Sequence, residues 1–122
     1  MKRRAALCVL LTMAALLAAS SGAAPRLSAT EAARHIGEFA TVCGDVASAH
    51  FAKTTRGAPT FLNLDAPYPQ QIFTIVIWAE ARMRFAAPPE SLLGRHLCVT
   101  GTIRAYRDQP EIVVDQPAQI SD

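Results

Sequence analysis

Hydrophobic and polar positions follow three different patterns along this chain. The first stretch, MKRRAALCVLLTMAALLAASSGA, opens on Lys2, Arg3 and Arg4, runs apolar from Ala5 to Ala19 and ends in small side chains. A basic start, a short apolar centre and small residues before a cut define a secretory signal peptide. Ser21 and Ala23 then place the cleavage before Ala24, so residues 1–23 are read as the leader. A membrane-spanning helix is the rival reading. It needs roughly 20 apolar residues to cross a bilayer, and this run is shorter and breaks at Ser-Ser-Gly.

Residues 24–38 carry the second pattern. Ser28-Ala-Thr-Glu31 has the spacing of a capping box, and Gly37 stands where a helix would end, so one or two helical turns are expected.

From Phe39 onward polar and apolar residues interleave. FATVCGDVASAHF is rich in β-branched and aromatic residues and reads as a long strand with a bulge or bend at Gly44. Lys53 to Ala58 form a loop with a basic tip, PTFLNL a strand, DAPYPQQ a turn, and IFTIVIW the most apolar strand. Residues 79–94 surround Pro88 and Pro89 and predict an irregular connection with a short helix near Glu90 to Leu93. RHLCVTGTIRAYR is a second long strand, Asp108-Gln109 a tight turn, and PEIVVDQP the last strand. The expected fold class is therefore all-β: a five-stranded Greek-key barrel over 39–122, with a short N-terminal helix and a short helix between strands three and four. Glycine at the middle of the first and fourth strands suits chains that bend to join both sheets.

Charge changes one conclusion. The whole chain holds 12 Lys+Arg against 10 Asp+Glu, net +2. Three of those cations, Lys2, Arg3 and Arg4, leave with the leader, and the remainder is net −1. Nucleic-acid affinity rests largely on phosphates neutralised by Lys and Arg, so such binding requires a local cluster. Cys8 lies in the leader, and Cys43 and Cys98 remain in a compartment where disulfides persist. His35, His50 and His96 are isolated, and no nucleophile motif, phosphate-cradling loop or paired-carboxylate pattern is present. The chain is expected to be a non-enzymatic binding module, without metal or cofactor.

TVCGDVASAHF, GAPTFLNLDAPYPQQIFTIVIW and LCVTGTIRAYRDQPEIVV together resemble the OB-fold family, specifically the nucleic-acid-binding modules attached to anticodon-binding and nuclease proteins. The resemblance implies that the first and fourth strands are antiparallel neighbours. If Val42 and Val99 point inward, alternation sends Cys43 and Cys98 to one outer side, where a bridge is possible. Two reduced cysteines in offset register are the alternative.

OB-folds bind oligonucleotides or oligosaccharides on the face of the second and third strands, between two flanking loops. Alternation then assigns Phe61, Asn63, Thr74 and Trp78 to a candidate platform, since an exposed aromatic offers a flat surface for a base. Lys53 and Arg56 on one loop, Tyr106 and Arg107 on the other, and Arg82 and Arg84 beyond Trp78 would flank it. The plainer alternative packs Phe61 and Trp78 under the 79–94 insert and leaves the arginines as a solvated surface. The expected partner is single-stranded DNA or RNA, with a periplasmic protein, a glycan or a partner subunit as alternatives. The protein is expected in the periplasm or secreted, with no membrane anchor once the leader is removed.

Overall fold

The computed structural model describes residues 22–122; the leader reading at residues 1–21 lies outside them. Eight strands make up most of the ordered secondary structure: β1 (Arg26–Ser28), β2 (Phe39–Phe51), β3 (Thr60–Leu64), β4 (Phe73–Ile77), β5 (His96–Thr102), β6 (Arg104–Tyr106), β7 (Gln109–Val113) and β8 (Ile120–Ser121). Two one-turn helices accompany them, α1 (Ala29–Ala32) and α2 (Ala79–Arg82), with 3-10 turns at Pro89–Leu92 and Pro117–Gln119. Among the described residues no helix is long and apolar enough to cross a membrane.

The lead-in contains more than the expected helix. Ser28 caps α1 through the anticipated box, with the Glu31 N–H donating to Ser28 Oγ at 3.2 Å and the Ser28 backbone N–H donating back to Glu31 Oε1 at 3.4 Å. Just before it, β1 pairs in parallel with β2, placing Leu27 beside Val42. Ala29 and Ala32 are fully buried, so α1 plugs one end of the core.

The sheet order is β6-β7-β4-β3-β2-β5-β8. Within it, β2, β3 and β4 form an antiparallel meander and β5 returns beside β2, which is the Greek-key arrangement. β7 adds in parallel to β4. The inward residues alternate as expected: Leu62, Leu64, Phe73, Ile75 and Ile77 are fully buried with Val42, Val99 and Ile112. Each such side chain contributes roughly 1.5–3 kcal/mol of transfer free energy.

The expected five-stranded closed barrel is corrected. There are eight strands, seven of them in an open path and β1 paired to β2 beside it, and no ladder joins β5 or β8 to the β6–β7 hairpin. The gap closes by packing instead. A Cβ at Gly101 in β5 would lie 2.8 Å from Ile112 Cγ2 of β7, so only glycine lets that side chain press on the β5 backbone. The fourth expected strand is accordingly split at Ile103 into β5 and β6.

Two local expectations shift. The irregularity in β2 falls not at Gly44 but between Val46 and Ser48, where β2 advances two residues for one of β3. This is a bulge with Ala47 as the extra residue. The β6–β7 turn is built on Arg107 and Asp108, both at positive φ (48° and 63°), rather than on Asp108-Gln109. Two successive left-handed residues give the twist that two-residue hairpins favour.

Cys43 and Cys98 face one another across β2 and β5 and form a disulfide, with Cα atoms 4.0 Å apart. Such a bond fits an oxidising compartment.

Candidate functional site

A groove of about 650 Å3 lies on the outer face of β2, β3, β4 and β7. The β2–β3 loop bounds it through Ala52 and Thr55, and the β6–β7 hairpin through Tyr106, Arg107 and Gln109.

Its floor is built by register. Ser48 of β2 stands opposite Asn63 of β3, Asn63 opposite Thr74 of β4, and Thr74 beside Glu111 of β7. Four polar residues thus form one row across four strands. The Thr74 hydroxyl donates to Asn63 Oδ1 at 3.1 Å, and Asn63 Nδ2 donates to Ser48 Oγ at 3.0 Å. Ser48 Oγ also accepts from the Tyr68 backbone N–H at 2.9 Å, which ties the Pro-rich β3–β4 connection to the floor. Asn63, Thr74 and Glu111 are all buried, and the large majority of buried polar groups are hydrogen-bonded, as these are.

The bulge at Ala47 completes the row. Strict alternation from the inward Val46 would turn Ser48 inward too. The extra residue reverses the phase, so Ser48 meets Asn63 and His50 meets Phe61.

Glu111 ends the row. Its carboxylate pairs with Arg104 across the hairpin, Nε to Oε1 at 3.2 Å. Burial pushes this carboxyl above its ordinary range, against the opposing pull of Arg104. Beside the polar row, Phe61, Tyr68 and Tyr106 supply aromatic surface, and Gln71 reaches the groove wall with a buried Oε1 that has no hydrogen-bond partner.

Of the residues anticipated from sequence, Phe61, Asn63, Thr74, Tyr106 and Arg107 line this groove. Lys53 and Arg56 sit exposed on the β2–β3 loop, outside the lining and without a salt bridge among the described residues. Arg107 lies over the Tyr106 ring at 5.3 Å.

The other three lie elsewhere. Trp78 is 42% exposed and leaves the platform, because β4 ends at Ile77 and α2 begins at Ala79. Its ring packs on Gly57, whose positive φ of 80° and lack of Cβ admit it; a Cβ there would lie 2.9 Å from the indole. Arg82 is held by Glu90 in a two-pronged pair at 2.5 and 2.7 Å, donates to Thr60 Oγ1 at 2.8 Å and stacks on Phe51 at 3.7 Å. Arg84 donates to the Asp115 carbonyl at 3.1 Å.

Sequence reasoning missed Ser48, His50, Tyr68, Gln71 and Glu111. Glu111 carried a readable signal, as the lone acid inside the apolar run PEIVV. Among the described residues no cluster of His, Cys, Asp and Glu could hold a metal ion.

No protein-family model and no curated protein matches the chain. Among solved structures, the crystal structure of a Leishmania major Friedlin protein assigned as an aspartyl-tRNA synthetase is similar at 10% identity, with a TM-score of 0.49. The match covers 83% of this chain and 21% of that one, so the chain spans about a fifth of that protein's length.

Proposed function

We propose that this protein is an exported, non-catalytic OB-like module whose groove binds single-stranded nucleic acid. The carrying observation is that one groove, set between the β2–β3 loop and the β6–β7 turn, combines Phe61, Tyr68 and Tyr106 with a row of polar floor residues. OB barrels bind oligomers on this same face, between the corresponding loops, and the Greek-key order with a parallel β4–β7 pair agrees with such a core. Aromatic side chains stack bases at about 1–3 kcal/mol each. Lys53, Arg56 and Arg107 lie in or beside the two flanking loops and are free of salt bridges among the described residues, which supports contact with a phosphate backbone. Export rests on the N-terminal pattern and on the disulfide.

A glycan is the second reading, favoured by the acidic Glu111 on the floor. Anisotropy titration of the purified protein with a labelled mixed-sequence single strand, over a range of salt, separates the two. Three phosphate contacts predict a log–log salt slope of about −2, from roughly −0.7 per contact. No binding to micromolar oligonucleotide by folded protein overturns the nucleic-acid reading. Saturable, salt-insensitive binding of oligosaccharides would then establish the glycan one.

A further inference from the structure

We infer that the groove selects nucleotides whose base carries an exocyclic amino group, with the Glu111 carboxylate accepting from that group. The inference rests on the nucleic-acid reading and adds base preference to it.

Hydrogen-bonding capacity on the groove floor carries the argument. Among the described residues Glu111 has one polar partner, Arg104 at Oε1, which leaves Oε2 without a protein donor. An ionised carboxylate only accepts. Gln71 also lines the groove, and its Oε1 is buried without a hydrogen-bond partner. The donors nearby are largely spent inside the row: the Thr74 hydroxyl on Asn63, one Asn63 Nδ2–H on Ser48, and the Tyr68 N–H on Ser48. Within the row the Ser48 hydroxyl and the second Asn63 N–H remain, and both are neutral; Arg107, Gln71 and Gln109 add donors at the groove walls. The floor therefore offers a charged acceptor with neutral donors further along the row.

Cytosine matches this arrangement, since its N4 amino group donates while its ring nitrogen and carbonyl accept. Acceptance from cytosine N4 is the usual role of a carboxylate in base recognition. Guanine and adenine also present an amino group. Thymine and uracil present a carbonyl at the same place and would leave Glu111 facing another acceptor. Burial already raises the cost of holding Glu111 charged, and a ligand donor lowers that cost where a carbonyl increases it.

Oligodeoxycytidine and oligothymidine of equal length test this, because both are pyrimidines. Titrated by anisotropy near neutral pH, the cytidine strand is expected to bind about five- to a hundredfold more tightly. Glu111→Gln, which adds a donor with little change of shape, is expected to bring the two affinities together while the protein stays folded by circular dichroism. Equal binding of both strands by the unaltered protein overturns the inference and leaves the groove reading standing. Tighter binding of the thymidine strand does the same. Failure of both strands and of the mixed-sequence strand overturns both readings.

Discussion

Arg104 reaches across the β6–β7 hairpin to Glu111 and is the carboxylate's one charged partner among the described residues, with Nε 3.2 Å from Oε1. Arg104 is half-exposed while Glu111 is nearly covered, so the pair is anchored from the solvent side and leaves the acid poorly solvated. Since burial raises the Glu111 carboxyl above its ordinary value, the ionised form is less favoured in the folded protein than in the unfolded chain. The stability this residue contributes is thus fully present below the unfolded carboxylate range and lost as pH rises through the folded value. Glu111→Gln is expected to raise the thermal midpoint at pH 7 relative to the unaltered protein. That advantage should vanish in acid, where both side chains are neutral; calorimetry across pH checks it.

The Cys43–Cys98 disulfide closes a loop of 55 residues between β2 and β5. The chain-entropy model assigns such a loop about 4 kcal/mol, a large share of the roughly 5–15 kcal/mol typical of a domain. Urea unfolding with and without reductant should show a loss near that size. Paired Cys43→Ala and Cys98→Ala variants should match the reduced protein.

Arg82 is a structural residue in this fold. Arg82→Ala removes a paired contact to Glu90, a donor to Thr60 and the stacking on Phe51, and is expected to cost about 2 kcal/mol after allowance for solvent screening. The salt bridge holds the Glu90 carboxyl below its usual value. Its contribution is therefore present above the ordinary carboxylate range and lost as pH falls through that lowered value. Oligonucleotide affinity of the folded variant should be unchanged, as measured by the same anisotropy titration.

Phe61 and Trp78 should behave oppositely. Phe61→Ala removes an aromatic from the groove and is expected to weaken oligonucleotide binding by about 1–3 kcal/mol. Trp78→Ala should leave affinity unchanged, since its ring packs on Gly57 outside the groove. Tryptophan fluorescence should accordingly change little on titration.

The strand segments and the inward face were legible in the chain because alternation is local. Thr60, Leu62 and Leu64 against Phe61 and Asn63, and Phe73, Ile75 and Ile77 against Thr74, need only the pleat of a strand. The cap at Ser28 was readable for the same reason, since its partner Glu31 lies three residues away.

What the tertiary structure decided depends on relations between distant segments. The bulge at Ala47 is set by where β2 must meet β3, and it alone turns Ser48 and His50 toward the groove. Trp78 is taken from the platform by a glycine 21 residues earlier, and Arg82 is taken from it by Glu90 and Phe51. Residue types and local periodicity thus determined the long strands and, in the groove, Phe61, Asn63, Thr74, Tyr106 and Arg107. The open sheet, the joined cysteines and the polar row from Ser48 to Glu111 required register across strands, which no single segment encodes.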